Sequence, residues 1–147
     1  MRLIIGCGNL LLKDEGVGVH LIEYLKDKEL PEDVELIDGG TAGFDLIDFI
    51  LGKEKVVIID SVKAGGNPGD IYCFSPSDFE TDNPPKTSLH DITLKDIFSI
   101  VQRQDNLVEI KIIGIEPKDI SYGTELSPEL KNLLPKIAEI VLKEVNA

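Results

Sequence analysis

Short apolar runs alternate along this chain with stretches in which apolar residues recur every three or four positions, the two periods expected of buried strands and amphipathic helices. Residues 3–5 read as a first buried strand, after which Val17, Leu21, Ile22 and Leu25 fall at helical spacing. Residues 34–37 read as a second strand. The turn-like loop Asp38-Gly39-Gly40-Thr41-Ala42-Gly43 follows, then a short helix carrying Phe44, Leu46, Ile47 and Ile50. Residues 56–59 form an uninterrupted Val/Ile run, as expected of a central strand covered on both faces. A Gly-rich turn at 64–69 leads into a fourth strand over 70–74, and the Pro-bearing stretch 75–86 reads as an irregular loop. Ile92, Leu94, Ile97, Ile100 and Val101 then fit a helix, and residues 108–115 a further strand. Ser127-Pro128 is a helix start, with Pro at the first helical position. Leu130, Leu133, Leu134, Ile137, Ile140 and Val141 mark the apolar face of that last helix, and Pro135 predicts a kink or break near Leu134. Alternating strands and helices imply an α/β fold: a single three-layer αβα domain over residues 1–147, with a twisted, mainly parallel sheet of about five strands.

Composition narrows the function classes. The 147 residues are 42% hydrophobic, too apolar for a disordered acidic chain, and no run approaches the roughly 20 residues that span a bilayer. The start lacks the charged region, longer apolar core and small-residue cleavage site of a signal peptide, so a cytoplasmic location is expected. Acidic residues outnumber basic ones 27 to 15, a net charge of −12. That charge repels phosphate backbones, so nucleic acid and anionic membranes are excluded as partners in favour of neutral, basic or metal-bearing ones. Cys7 and Cys73 form no C-x-x-C pair, which argues against a disulfide scaffold and a thiolate zinc site. Cys7 is expected to be a small buried thiol and Cys73 a packing residue within its strand. His20 is expected to be a partly exposed surface residue.

In open α/β sheets the ligand crevice lies beyond the carboxyl ends of the strands. Gly6-Cys7-Gly8 after the first strand and Asp38 at the end of the second invite comparison with a dinucleotide fold. The fingerprint needs a small residue three positions after Gly8, where Leu11 stands, and Asp14 and Glu15 would face the diphosphate with like charge. Ser61 and Ser88 lack the G-x-S-x-G setting of a serine hydrolase. A two-carboxylate glycosidase using Glu15 and Asp60 is compatible with sequence spacing, but a chain this poor in aromatics is a poor sugar binder. Glu15, Asp60 and His90 instead fall at element ends on one expected rim, and two carboxylates with an imidazole suit a borderline-hard divalent metal with open positions. Each has an ordinary structural role as well: Glu15 as a helix first-turn acid, Asp60 as a strand-end turn residue, His90 as part of the approach to a helix capped by Asp91.

The ordered set Gly6-Cys7-Gly8-Asn9, Asp14-Glu15-Gly16-Val17-Gly18-Val19, Asp38-Gly39-Gly40-Thr41-Ala42-Gly43, Ile59-Asp60-Ser61 with Gly69-Asp70, Ser88-Leu89-His90, and Ile113-Gly114-Ile115-Glu116-Pro117 with Leu126-Ser127 resembles the hydrogenase maturation endopeptidases. The resemblance implies an endopeptidase that removes a C-terminal extension from the large-subunit precursor of nickel-iron hydrogenase after nickel loading. It places the family's metal-contacting positions on Glu15, Asp60 and His90. The nickel would arrive with the precursor, the partner of what is expected to be a monomer, and no nucleotide is implied. Asp38 is the candidate general base or substrate-orienting group, and Asp91 the candidate partner of His90. The alternative from another class is a nickel-binding docking or chaperone module that does not cut.

Overall fold

The computed structural model describes residues 1–89, 94–105 and 107–147. Strands β1 (Arg2–Cys7), β2 (Val34–Gly40), β3 (Lys55–Ser61), β4 (Ile71–Phe74) and β5 (Glu109–Ile115) form one sheet in the order β2-β1-β3-β5-β4. Helices α1 (Val17–Leu25), α2 (Leu46–Ile50), α3 (Leu94–Gln104) and α4 (Pro128–Val145) cover its two faces. The pleat divides the core. Leu3, Ile5, Val56 and Ile58 pack with α2 and α3 on one face, while Ile4, Val57 and Ile59 pack with α1 and α4 on the other. All seven residues of β3 are buried, as its uninterrupted apolar run requires.

The strand order reverses at β1, which has β2 on one side and β3 on the other, both parallel to it. A crevice therefore opens beyond the carboxyl ends of β1 and β3. Two glycines bring α1 hard against this part of the sheet. A Cβ on Gly18 would lie 2.2 Å from the Ile59 carbonyl oxygen and 2.4 Å from that of Cys7, and one on Gly6 would lie 2.1 Å from the Gly18 oxygen. The first turn of α1 thus rests directly on β1 and β3.

Several expectations need correction. The mainly parallel sheet is as expected; among the described residues its one antiparallel strand pair is β4 with β5 at the edge, because residues 62–70 are too few for the crossover of a dozen or more that a parallel return demands. The loop expected over 38–43 is shorter: β2 continues to Gly40, where an irregularity pairs Gly6 with Asp38 but Cys7 with Gly40, and only Thr41 and Ala42 separate it from a 3₁₀ turn that starts at Gly43. Asp60 and Ser61 close β3 rather than follow it. The stretch 75–86 contains a 3₁₀ turn, Pro76–Phe79, opened by a reciprocal Ser75/Asp78 cap. Pro135 does not break α4, which continues through it to Val145. Pro135 and Lys131, the residue four positions before it, both lie on the exposed side of the helix, away from the packed core. Cys73 is exposed on the edge strand, not packed, whereas Cys7 is fully buried. His20 is partly exposed, as expected. The expected helical residue Ile92 lies outside the described residues. Among the described residues, no helix is long and apolar enough to cross a membrane.

Gly18→Ala should lower unfolding free energy by about 2–4 kcal/mol in a urea titration, because the new methyl meets backbone that cannot move aside. A thiol reagent should label Cys73 in the native protein and reach Cys7 only on unfolding.

Candidate active site at the carboxyl rim of the sheet

Glu15 sits in a 3₁₀ turn, Lys13–Gly16, between β1 and α1, and is only 5% exposed. Gly8 makes room for it. With φ at +138°, Gly8 has a conformation that favours glycine, and a Cβ there would lie 1.9 Å from the Glu15 carbonyl oxygen. Asp60 is the penultimate residue of β3 and is wholly buried. Its Oδ2 accepts hydrogen bonds from the Ser88 amide at 3.1 Å and the Ser88 hydroxyl at 2.8 Å, and its Oδ1 from the Ser61 amide at 2.8 Å. Burial pushes the Asp60 carboxyl up to about 7; these hydrogen bonds oppose the rise, and the negative charge of Glu15 adds to it. Glu15 and Asp60 are thus electrostatic neighbours.

His90 and Asp91 lie outside the described residues. Ser88, two residues before His90 in sequence, is pinned to Asp60 and is itself buried. Asp38 is exposed on β2, its Oδ1 accepting the Gly40 amide at 3.0 Å. Burial, reinforced by the charges of Asp60 and Asp38, raises the Cys7 thiol well above its ordinary range, which suits a packing residue and not a nucleophile.

Two further carboxylates hold the rim together. Asp14 is fully buried and accepts hydrogen bonds from the amides of Lys118 (2.9 Å), Asp119 (3.0 Å) and Ser127 (2.7 Å) and from the Ser127 hydroxyl (2.8 Å). It ties the segment between β5 and α4 across the turn that carries Glu15. Glu116 Oε1 accepts the amides of Ala64 and Gly66 and the Tyr72 hydroxyl, fixing the loop after β3. Sequence reasoning set Ser88 aside as a failed nucleophile and treated Asp14 only as part of a motif. Asp14 stands between Lys13 and Glu15, so its neighbours in sequence give no sign of the burial that forces it to find hydrogen-bond donors. Glu15 and Ser61 also line a cavity of about 380 Å³ that opens beside the rim.

The α/β class is set by this sheet, with its switch point between β1 and β3 and its acids gathered there. A family model described as hydrogenase maturation protease matches residues 19–144, and the chain belongs to that family of endopeptidases. It is 30% identical to the coenzyme F420 hydrogenase subunit delta of Methanothermobacter thermautotrophicus, over 97% of this chain and 93% of that one. It is 29% identical to the hydrogenase 2 maturation protease of Escherichia coli, over 95% of this chain and 87% of that one. Among solved structures it is similar to the hydrogenase maturating endopeptidase HybD of Escherichia coli, with TM-score 0.84, 25% identity, and 99% and 91% of the two chains covered. It is also similar to the [NiFe] hydrogenase maturation protease HybD of Thermococcus kodakarensis, with TM-score 0.79, 30% identity and 98% of each chain covered.

The raised Asp60 carboxyl has a thermodynamic consequence. Its folded value, about 7, exceeds the ordinary 3.8, so its contribution to stability is complete below pH 4 and lost as pH rises through 7. In urea titrations with chelator present, the wild type should lose more stability between pH 5 and 8 than Asp60→Asn, whose amide does not ionise. Equal losses would mean that Asp60 titrates normally.

Proposed function

We propose that this chain removes a C-terminal extension from the large-subunit precursor of a nickel-iron hydrogenase, and that Glu15, Asp60 and His90 recognise nickel already installed in that precursor. Membership of the maturation protease family supports the reaction class. The metal assignment is supported by two buried acids at the switch point, Glu15 in the turn before α1 and Asp60 near the end of β3, with the negative charge of Glu15 adding to the rise of the Asp60 carboxyl. A divalent cation favours the ionised form of both, and the oxygen donors suit a borderline-hard ion such as nickel. Nickel is thus part of the substrate, and cleavage becomes conditional on its presence.

The chain's own residues then do three things. Asp60, held by Ser88 and Ser61, presents a fixed carboxylate, and Glu15 presents a second from a turn that Asp14 clamps. Asp38, exposed on the neighbouring strand, orients the scissile peptide or accepts a proton from the attacking water. Leu11 and Tyr122, 61% and 88% exposed, stand on segments joined by the Gly123 amide to the Leu11 carbonyl beside the Glu15 turn. Such apolar side chains next to a reactive rim fit a folded protein substrate.

Purified protein incubated with nickel-loaded precursor should reduce the mass of the large subunit, while nickel-free precursor stays intact. Binding without any mass change would instead identify a docking module, and equal cleavage of nickel-free precursor would sink nickel recognition. Asp60→Asn and His90→Ala should slow processing by about 100-fold or more, a loss typical of removing a group that acts at the reacting centre. Asp38→Asn should slow it comparably while shifting the urea midpoint little, since Asp38 is exposed. Asp14→Ala should instead cost about 2–4 kcal/mol of stability by stranding buried donors.

A further inference from the structure

We propose that the cavity beside Glu15 seats a carboxylate-bearing part of the C-terminal extension, held by Lys63 and Lys86; this rests on the proteolytic reading above. The cavity, about 380 Å³, is of a size with ligand sites and has an apolar floor that includes Phe79, Leu89 and Leu94. Its charge is unlike that of the rest of the chain. In a protein of net charge −12, three lysines, Lys63, Lys86 and Lys95, line it, and Glu15 is the sole carboxylate among its described lining residues.

The backbone sets two of these lysines face to face. Lys63 and Lys86 form an isolated antiparallel bridge, the Lys63 amide donating to the Lys86 carbonyl at 2.8 Å and the Lys86 amide to the Lys63 carbonyl at 3.2 Å. Residues opposed in this way project on the same side, where like charges repel. Both are exposed, and among the described residues neither they nor Lys95 take part in an ion pair, whereas Lys13, Lys26, Lys55 and Lys118 do. An anion between them removes that repulsion. The apolar floor requires the anion to be carried on a chain with apolar side chains, and Glu15 and Ser61 in the same wall join the cavity to the cleavage rim. A peptide carboxylate meets all three conditions, whether from Asp or Glu in the extension or from its C-terminus.

The test uses a fluorescein-labelled hexapeptide with two leucines followed by two aspartates, its asparagine counterpart, and C-terminally amidated forms of each, titrated by anisotropy against wild type and the Lys63→Gln/Lys86→Gln double variant. Wild type should bind the carboxylate forms about fivefold or more tightly than the amidated asparagine peptide, and the preference should vanish in the double variant and weaken in 0.5 M salt. Dependence on aspartate assigns the site to side chains of the extension; dependence on the free terminus assigns it to the extension's end. Equal binding of all four peptides, or a preference that survives in the double variant, overturns the proposal. With nickel-loaded precursor, the double variant should raise KM several-fold, more than it lowers kcat, at an unchanged melting temperature; an unchanged KM also overturns it. If wild type cuts no precursor yet keeps the carboxylate preference, the proteolytic reading falls and the lysine site stands.

Discussion

The carboxyl rim is organised by the cost of burying charge. Asp14 and Asp60 are both inaccessible to water, and among the described residues both are satisfied by amides and hydroxyls, not by a cation. A carboxylate moved from water into a protein interior carries a penalty of several kcal/mol unless donors surround it. Here the donors come from far away in sequence. Ser88 reaches Asp60 from 28 residues on, and Ser127 reaches Asp14 from 113 residues on. Each acid therefore gathers an irregular segment onto the end of the sheet, so that loops which would otherwise be mobile become part of a fixed rim. Glu116 does the same for the loop after β3.

Sterics complete what these acids begin. The close seating of α1 on β1 and β3, possible only because Gly6 and Gly18 lack side chains, determines where the preceding turn lies. Gly8 then lets the Glu15 carbonyl oxygen lie only 1.9 Å from where a Cβ would stand, a clash that any other residue would suffer. The short glycine-bearing motifs are thus packing devices whose product is the position of one carboxylate. A nucleotide site uses glycines after a first strand for a related reason, close approach of the backbone, but there the approaching group is a phosphate. Here it is the chain's own turn.

What could be read from the sequence follows from the range of the interactions involved. Strands and helices were legible because their signal is local periodicity: β3 announces itself in Val56, Val57, Ile58 and Ile59, and α1 in the spacing of Val17, Leu21 and Ile22. That Glu15 and Asp60 fall at the carboxyl end of the sheet was legible through a rule about where crevices form in α/β sheets, which needs only the order of elements. The direction of β4 was not assigned from the sequence, because it depends on β5 lying between β3 and the edge. The extension of β2 through Asp38-Gly39-Gly40 was missed because those residues favour turns, and it is pairing of Asp38 with Gly6 and of Gly40 with Cys7, across an irregularity, that carries the ladder past them. Ser88 and Ser127 leave no local trace of the buried acids they satisfy. Pro135 misled because the cost of a proline in a helix depends on whether the lost partner faces solvent.

The distribution of charge around the rim gives the proposed substrate a direction. Glu15 and Asp60 favour a cation at the ends of β1 and β3, while Lys63 and Lys86 favour an anion in the adjoining cavity. A precursor carrying nickel near the cut and a carboxylate beyond it meets both fields only when threaded one way; reversed, each charge faces its like, and the desolvated Asp60 makes that arrangement the more costly. Shape alone would impose little polarity on an extended peptide, whose backbone offers the same donors and acceptors in either sense. The opposed charges supply it. On this account the net acidity of the chain matters less than its local exception, because three lysines gathered beside one carboxylate among the described lining residues stand out most where the surrounding potential is negative.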